Sequence, residues 1–409
     1  MILLLMLSLS LVGLTSYIAS LNRAVTEIDQ LDPLKDPFST YCPNSSKFPK
    51  VSVIVPAYNE VDNIQDCVMS ILNSTYLSDE SLEIWVVDDQ STDETLTVLQ
   101  TLQRSLKDSR LKVISGQPRP HREVWIGKNW ACVQAAECAG GEFLLFIDAD
   151  VRLNPGAIEA AIQTAVAENI DLLNCIPQLI CGSLVEWLVQ PLMFINLLIS
   201  LNYKGVKDAK TETAFAAGPF MLFGRSAYGR IGGHQAVASH VAEDVALARL
   251  IKRNGLKLRY RLGSNIATLR MYRSWAAMWE GWTKVLYVGA QRNLSIMLFL
   301  AMVMLIIYCT PWLGLVLIVG RSITIGLKTI DLLTVCIALV AIILQYKLRI
   351  IAGRALYSPP KYWWLHGLGG LLVAVMAIAS VIKTETGWGW TWRGRSLKQP
   401  IFPAVRDIL

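Results

Sequence analysis

Asp148 and Asp150 stand two residues apart at the end of the apolar run EFLLFID (142–148). In an extended segment that spacing aims both side chains the same way. Two carboxylates turned on one point repel unless a cation neutralises them. Mg2+ or Mn2+, held by one or two carboxylates and completed by substrate phosphates, is the usual solution. Such an ion stabilises the charge that develops on a diphosphate leaving group. A lone D-x-D is common by chance, but two more apolar runs end in polar residues. VSVIV leads into Pro56-Ala57-Tyr58-Asn59-Glu60, and EIWVV leads into Asp88-Asp89-Gln90-Ser91-Thr92-Asp93. Asp93 reads as a cap or turn residue.

The elements that must carry these groups follow from periodicity. The run 51–56 predicts a strand, and the stretch 61–73 predicts a helix with Ile64, Val68, Ile71 and Leu72 on one face. Strands are expected at 83–88, 111–115 and 142–148, with helices at 92–106 and around 128–139. Near-continuous apolar strands alternating with helices indicate an α/β fold with a mostly parallel sheet covered on both faces. Ligands of such sheets sit at the carboxyl ends of the strands, where the acidic residues fall.

That ordered set of motifs resembles the inverting family 2 glycosyltransferases of GT-A fold, over 51–270 or about half the chain. The resemblance implies that Pro56, Ala57, Tyr58 and Glu60 border the nucleotide base and ribose, and that Asp89 contacts them. It implies that Asp148 and Asp150 bind the metal and diphosphate. Ile126-Gly127-Lys128-Asn129-Trp130-Ala131 resembles the family's G-K-x-x-A segment, with Lys128 placed to approach nucleotide or phosphate. Glu243-Asp244 resembles the E-D motif of the catalytic base. The acceptor hydroxyl must lose a proton as it attacks, so Asp244 is expected as the base and Glu243 as its support. His234, after Gly232-Gly233, and His240 are expected to be ordinary polar histidines rather than ligands.

Composition places this domain in a membrane protein. Of the 409 residues, 53% are apolar and 17% charged, against about 25% charged in soluble domains. The net charge of +6 conceals a basic portion at 270–409, with 15 Lys/Arg and 4 Asp/Glu. Basic clusters beside apolar spans mark the cytoplasmic membrane face rather than nucleic acid. Residues 1–21 are long enough for an anchor, and Arg23 and Lys35 after them place the following chain in the cytosol. The expected organisation is an anchor at 1–21, a linker at 22–50 containing Pro33, Pro37, Pro43 and Pro49, and the GT-A domain at 51–290. A hydrophobic region of two or three spans at 291–383 and a basic aromatic tail at 384–409 follow, with Pro311 and Gly367–Gly370 as places for a break. The stretch 183–203 is expected to be a helix at the interface or beside the acceptor.

Eight cysteines, Cys42 among them, form no C-x-x-C pair and read as reduced. Arg273, Trp275, Trp279, Trp282 and Lys284 read as an interfacial anchor or a stacking surface. The tail Trp388–Arg395, with Lys398 beyond it, is similar to a W-x-G-R ending of membrane glycosyltransferases acting on carotenoids. With the span–domain–base plan, this resembles bacterial carotenoid and hopanoid-associated enzymes. It implies a nucleotide-diphosphate sugar donor, a lipid-soluble acceptor such as a hydroxylated carotenoid, and contact with membrane lipids. A hopanoid or other glycolipid acceptor is the alternative. A processive polysaccharide synthase is disfavoured because no Q-x-x-R-W is present, and a dinucleotide oxidoreductase because PAYNEVDN replaces G-x-G-x-x-G. A catalytically silent scaffold is disfavoured by the joint presence of Asp89, Asp148, Asp150 and Asp244.

Overall fold

The apolar runs become neighbouring strands of one nine-stranded sheet in the computed structural model, which describes residues 2–33, 48–120, 124–326 and 328–397. Lys35, Pro37, Cys42, Pro43 and Lys398 lie outside the described residues. The strands are β1 (Asp29–Gln30), β2 (Val51–Ala57), β3 (Leu82–Asp88), β4 (Leu111–Ser115), β5 (Phe143–Ile147), β6 (Val151–Leu153), β7 (Leu172–Leu179), β8 (Phe220–Gly224) and β9 (Leu258–Leu269). The helices are α1 (Ile2–Glu27), α2 (Ile64–Ser74), α3 (Thr95–Leu106), α4 (Gly127–Cys138), α5 (Ala157–Ala167), α6 (Leu184–Ser200), α7 (Tyr203–Lys207), α8 (Arg225–Arg230) and α9 (Glu243–Arg253). They continue as α10 (Trp275–Gly289), α11 (Leu294–Met304), α12 (Thr310–Ile325), α13 (Thr329–Ala355) and α14 (His366–Thr386).

The chain divides into two compact units. The sheet unit comprises Ile28–Ile180 and Asn202–Met271 among the described residues, where the sequence reading drew a domain at 51–290. Its strand order is β1-β9-β7-β8-β5-β2-β3-β4, with β6 paired to β9. The stretch β5-β2-β3-β4 is parallel, whereas β8 runs antiparallel between β7 and β5. Val51, Val53, Ile54 and Val55 of β2 are fully buried because helices cover both faces. Each such side chain contributes roughly 1.5–3 kcal/mol of transfer free energy.

Ala57 pairs with Asp88, and Asp88 with Ser115, so these strands finish on one edge. Pro56 is tolerated because pairing to β5 ends at Ile54. Helix α2 starts later than expected, since the Glu60 carbonyl accepts from Asn63 and Ile64 and closes a turn first. It then buries Ile64, Cys67, Val68, Ile71 and Leu72 at helical spacing. Helix α3 is delayed likewise by Asp93, whose Oδ1 accepts from the Thr95 amide at 2.9 Å.

The helical unit comprises α1, α6 and α10–α14. Ile2–Glu27, Leu294–Ile323, Thr329–Ala355 and Trp363–Thr386 are each long and apolar enough to cross a membrane. The expected break at Pro311 does not form. A π turn at Leu305–Cys309 absorbs the missing amide, and the Thr310 hydroxyl donates to Leu305 O at 3.2 Å. Gly367–Gly370 do not break the chain either but let it pack closely. A Cβ on Gly369 would lie 2.4 Å from the Leu188 carbonyl oxygen, and one on Gly370 would lie 2.6 Å from Tyr308 Cβ. The tail folds as a hairpin, Thr391–Trp392 with Arg395–Ser396, around Arg393 and Gly394, both with positive φ. Thr391 Oγ1 and the Arg393 amide donate to Glu280 of α10 at 2.6 and 3.0 Å, and Lys284 Nζ lies 3.7 Å from the Trp392 ring centroid.

Candidate active site

At the carboxyl edge of the sheet, Asp89 is nearly buried after β3, and its amide donates to Ala57 O at 2.7 Å. Asn59 and Gln90, both at positive φ, turn the chain away from β2 and β3. Glu60 Oε2 accepts from Asn63 Nδ2 at 2.9 Å, and its amide donates to Thr95 Oγ1 at 2.8 Å. Pro56, Ala57 and Tyr58 thus border a fixed edge rather than a loose loop.

Asp148-Ala149-Asp150 departs from the sequence expectation in its geometry. The segment is a turn, closed by the Val151 amide on Asp148 O at 3.1 Å, and not an extended strand end. Ala149 is buried beneath it. The buried Cys67 thiol lies against this turn, with its Sγ donating to Asp148 O at 3.8 Å. Burial first, then the charges of Asp150, Glu60 and Asp148 against that of Arg152, push this thiol well up.

Lys128 occupies the centre, at the first turn of α4. Its Nζ lies 2.6 Å from Asp148 Oδ1 and 2.8 Å from Glu243 Oε1, so it is an ion-paired lysine rather than a solvated one at a helix start. Burial opposes its charge, but Asp148 and Glu243 outweigh that and hold the ammonium well above the lysine range. Buried Cys132 one turn on lies in the combined field of Lys128, Glu243, Asp148 and Asp89. Residues named from three separate segments, Lys128, Asp148 and Glu243, therefore converge.

Glu243 and Asp244 open α9. Asp244 accepts from the Gly218 amide and the Val245 amide, both at 2.8 Å. Burial, then the adjacent Glu243 charge, push its carboxyl up to about 7 against the pull of Lys128. A carboxyl at that value changes charge near neutral pH, as a general base requires. His234 is core: it is 1% exposed, its Nδ1 lies 2.8 Å from the Tyr228 hydroxyl, and burial lowers it to about 3. His240 is exposed, with its carbonyl accepting from Asn129 Nδ2 at 3.1 Å.

Sequence reasoning missed Gly218 and Asn174. A Cβ on Gly218 would stand 2.9 Å from Lys128 Nζ. Buried Asn174 holds the neighbouring backbone, donating to Ala217 O at 2.7 Å and accepting from the Ala217 amide at 2.8 Å. Neither carries a local motif, so only the fold reveals them.

Among the described residues no three His, Cys, Asp or Glu form a ready-made metal cage. The carboxylates of Asp148 and Asp150 offer only oxygen donors, which would suit a hard divalent cation whose remaining positions phosphate and water would fill.

Residues 52–232 match the model of glycosyl transferase family 2. This chain carries a family 2 glycosyltransferase domain. The glycosyltransferase is 29% identical over 272 residues to the 4,4'-diaponeurosporenoate glycosyltransferase of Staphylococcus haemolyticus, covering 65% of this chain and 69% of that protein. It is 28% identical over 243 residues to the protein of the same name from Staphylococcus aureus, covering 59% of this chain and 61% of that protein. It thus spans about three-fifths of the latter relative. In fold it is similar to a mannosyltransferase from Pyrobaculum calidifontis solved with GDP-Man and Mn2+, with a TM-score of 0.50 and 18% identity. That likeness covers 94% of this chain and 98% of the other, and agrees with the GT-A type expected from the motifs.

Proposed function

We propose that this glycosyltransferase moves a single sugar, with inversion, from a nucleotide-diphosphate sugar to an oxygen of a lipid-soluble carotenoid at the cytoplasmic membrane face. The observation that carries the reading is the Lys128 bridge. One ammonium ties Asp148, on the side of the leaving diphosphate, to Glu243, beside the carboxyl that would take the acceptor proton. Asp89 and the Pro56–Glu60 turn would bind the nucleoside. Asp148 and Asp150 would hold Mg2+ or Mn2+, which when bound supplies charge stabilisation for the departing diphosphate. Lys128 adds a fixed cation beside them. The Gly218 amide orients Asp244, whose unprotonated form accepts the proton of the attacking hydroxyl. The names of the relatives support a carotenoid acceptor, and the four long apolar helices suit an enzyme whose acceptor is dissolved in a membrane.

The relatives' name is that of a carboxylate, which favours a second acceptor class. A carboxylate nucleophile arrives without a proton, so Asp244 would then donate a hydrogen bond in its neutral form instead of accepting a proton. Incubating the full chain in membranes with labelled UDP-glucose or GDP-mannose and either a hydroxy- or a carboxy-carotenoid tests both readings. A product carrying one sugar is expected by mass spectrometry, and its lability to mild alkali separates an acyl ester from a glycoside. No labelled carotenoid with any donor would defeat the proposal.

A further inference from the structure

Asn129 follows Lys128 on the first turn of α4 and is fully buried, at a position the G-K-x-x-A pattern leaves unspecified. Its Nδ2 donates to the carbonyls of Val237, Ala238 and His240 at 2.8, 3.1 and 3.1 Å. The Ile126 amide adds a second tie, to Ala238 O at 2.8 Å. These carbonyls belong to the short irregular segment between the 3-10 turn Gly233–Val237 and α9. That segment has only two backbone bonds of its own at this point, Ala238 to Gln235 and His240 to Val237. The position of Glu243 and Asp244 therefore depends on what grips the chain just before them.

The other end of the Asn129 amide is informative. Oδ1 is buried without a hydrogen-bond partner. A buried orphan acceptor is costly, and an apolar side chain of the same shape would avoid it. What an amide supplies here is the pair of N–H groups aimed at three carbonyls. Lys128 and Asn129 are thus adjacent residues gripping the same strand of chain by different means, one by charge on Glu243 and one by hydrogen bonds.

We propose that Asn129 is a positioning residue that holds segment 237–240, and with it Asp244, in register with Lys128 and Asp148. The inference rests on Asp244 acting as the base. Displacing a catalytic group by about 1 Å costs roughly a hundredfold in rate without touching substrate affinity.

The test uses the full chain in membranes with UDP-glucose or GDP-mannose, whichever turns over, comparing wild type, Asn129→Ala, Asn129→Asp and Asp244→Asn. Asparagine to aspartate keeps the shape and removes the donors. Both Asn129 variants are expected to lose about 10- to 100-fold in kcat while KM for the donor stays within about twofold. Hydrogen exchange at 237–245 should accelerate, and the pH limb near 7 should move. Wild-type kcat in both variants would overturn the inference. So would failure of both to fold, or a parallel loss of kcat, donor KM and melting temperature, since either marks Asn129 as a core residue. An inactive Asp244→Asn beside fully active Asn129 variants means this inference alone fails. Full turnover in Asp244→Asn means the functional reading fails instead.

Discussion

Lys128→Met removes the cation that bridges Asp148 and Glu243 and leaves a side chain of similar length. At an effective dielectric of about 20, a unit pair near 3 Å is worth roughly 5 kcal/mol before desolvation is counted. Lys128 and Asp148 are 31% and 29% exposed, whereas Glu243 is 8% exposed, so solvent takes part of that away. A net loss of about 2–3 kcal/mol in folding stability remains. The kinetic effect has a definite sign. Lys128 lowers Asp244, which burial and Glu243 hold at about 7. Without Lys128 the carboxyl should rise by roughly one unit. A base must be unprotonated, so kcat climbs with pH through this value, and the limb should move to higher pH in the variant. At pH 7 the unprotonated fraction would fall from about a half to about a tenth, so the expected loss is about fivefold from ionisation alone, with more from the missing charge beside the diphosphate. A pH–rate profile of labelled sugar transfer, run beside a denaturant melt, measures both. An unmoved limb with kcat within about twofold of wild type would refute the bridging role of Lys128.

Gly218→Ala should place a methyl 2.9 Å from Lys128 Nζ and push the ammonium off its carboxylates, lowering kcat about tenfold or more with little change in melting. Chelation by EDTA should abolish turnover, and Mn2+ or Mg2+ should restore it in wild type but not in an Asp148→Asn, Asp150→Asn double variant. Glu83 lies far along β3 from the site, where Ser52, the Gly140 amide, Lys112 and Lys50 surround it and hold its carboxyl at about 2 despite burial, against 4.5 for a free glutamate. Its folded value is the lower one, so the stabilisation is complete above the unfolded value and disappears as pH falls through the folded value. Denaturant melts of wild type and Glu83→Gln should differ by about 2 kcal/mol near neutral pH and converge on acidification towards pH 2.

The parallel half of the sheet was legible because β2, β3, β4 and β5 are short continuous apolar runs, each ended by polar residues. The other half was not. β8 is inserted antiparallel between two strands distant in sequence, and no local pattern reports that partnership. The acidic residues were found by type and order, yet the reason offered for Asp148 and Asp150 was incomplete, since a tight turn rather than strand alternation carries them. Lys128 was expected near phosphate. Its contact with Glu243 depends on α4 and α9 meeting in space, as do the roles of Asn174, Gly218 and Asn129. Amides and glycines acquire such roles from neighbours, which composition and spacing do not encode.

The tail hairpin bears on how the helical unit is threaded. Glu280 of α10 accepts from Thr391 and Arg393, so the segments just before α11 and just after α14 sit at one depth. Between them lie three long apolar helices. If all three crossed completely those two segments would fall on opposite faces, so the contact favours a plan in which two cross and one enters and returns on a single side. Helix α14 has the geometry for it. Its first turn meets the middle of the α11–α12 rod, with Cys309 Sγ donating to Gly367 O at 3.0 Å, and its far end meets α10, with Lys383 Nζ on Thr283 Oγ1 at 3.1 Å. The glutamate on α10 is therefore the place to probe a parity that hydropathy alone leaves open, because a Glu280→Gln variant with a C-terminal topology reporter reads it directly.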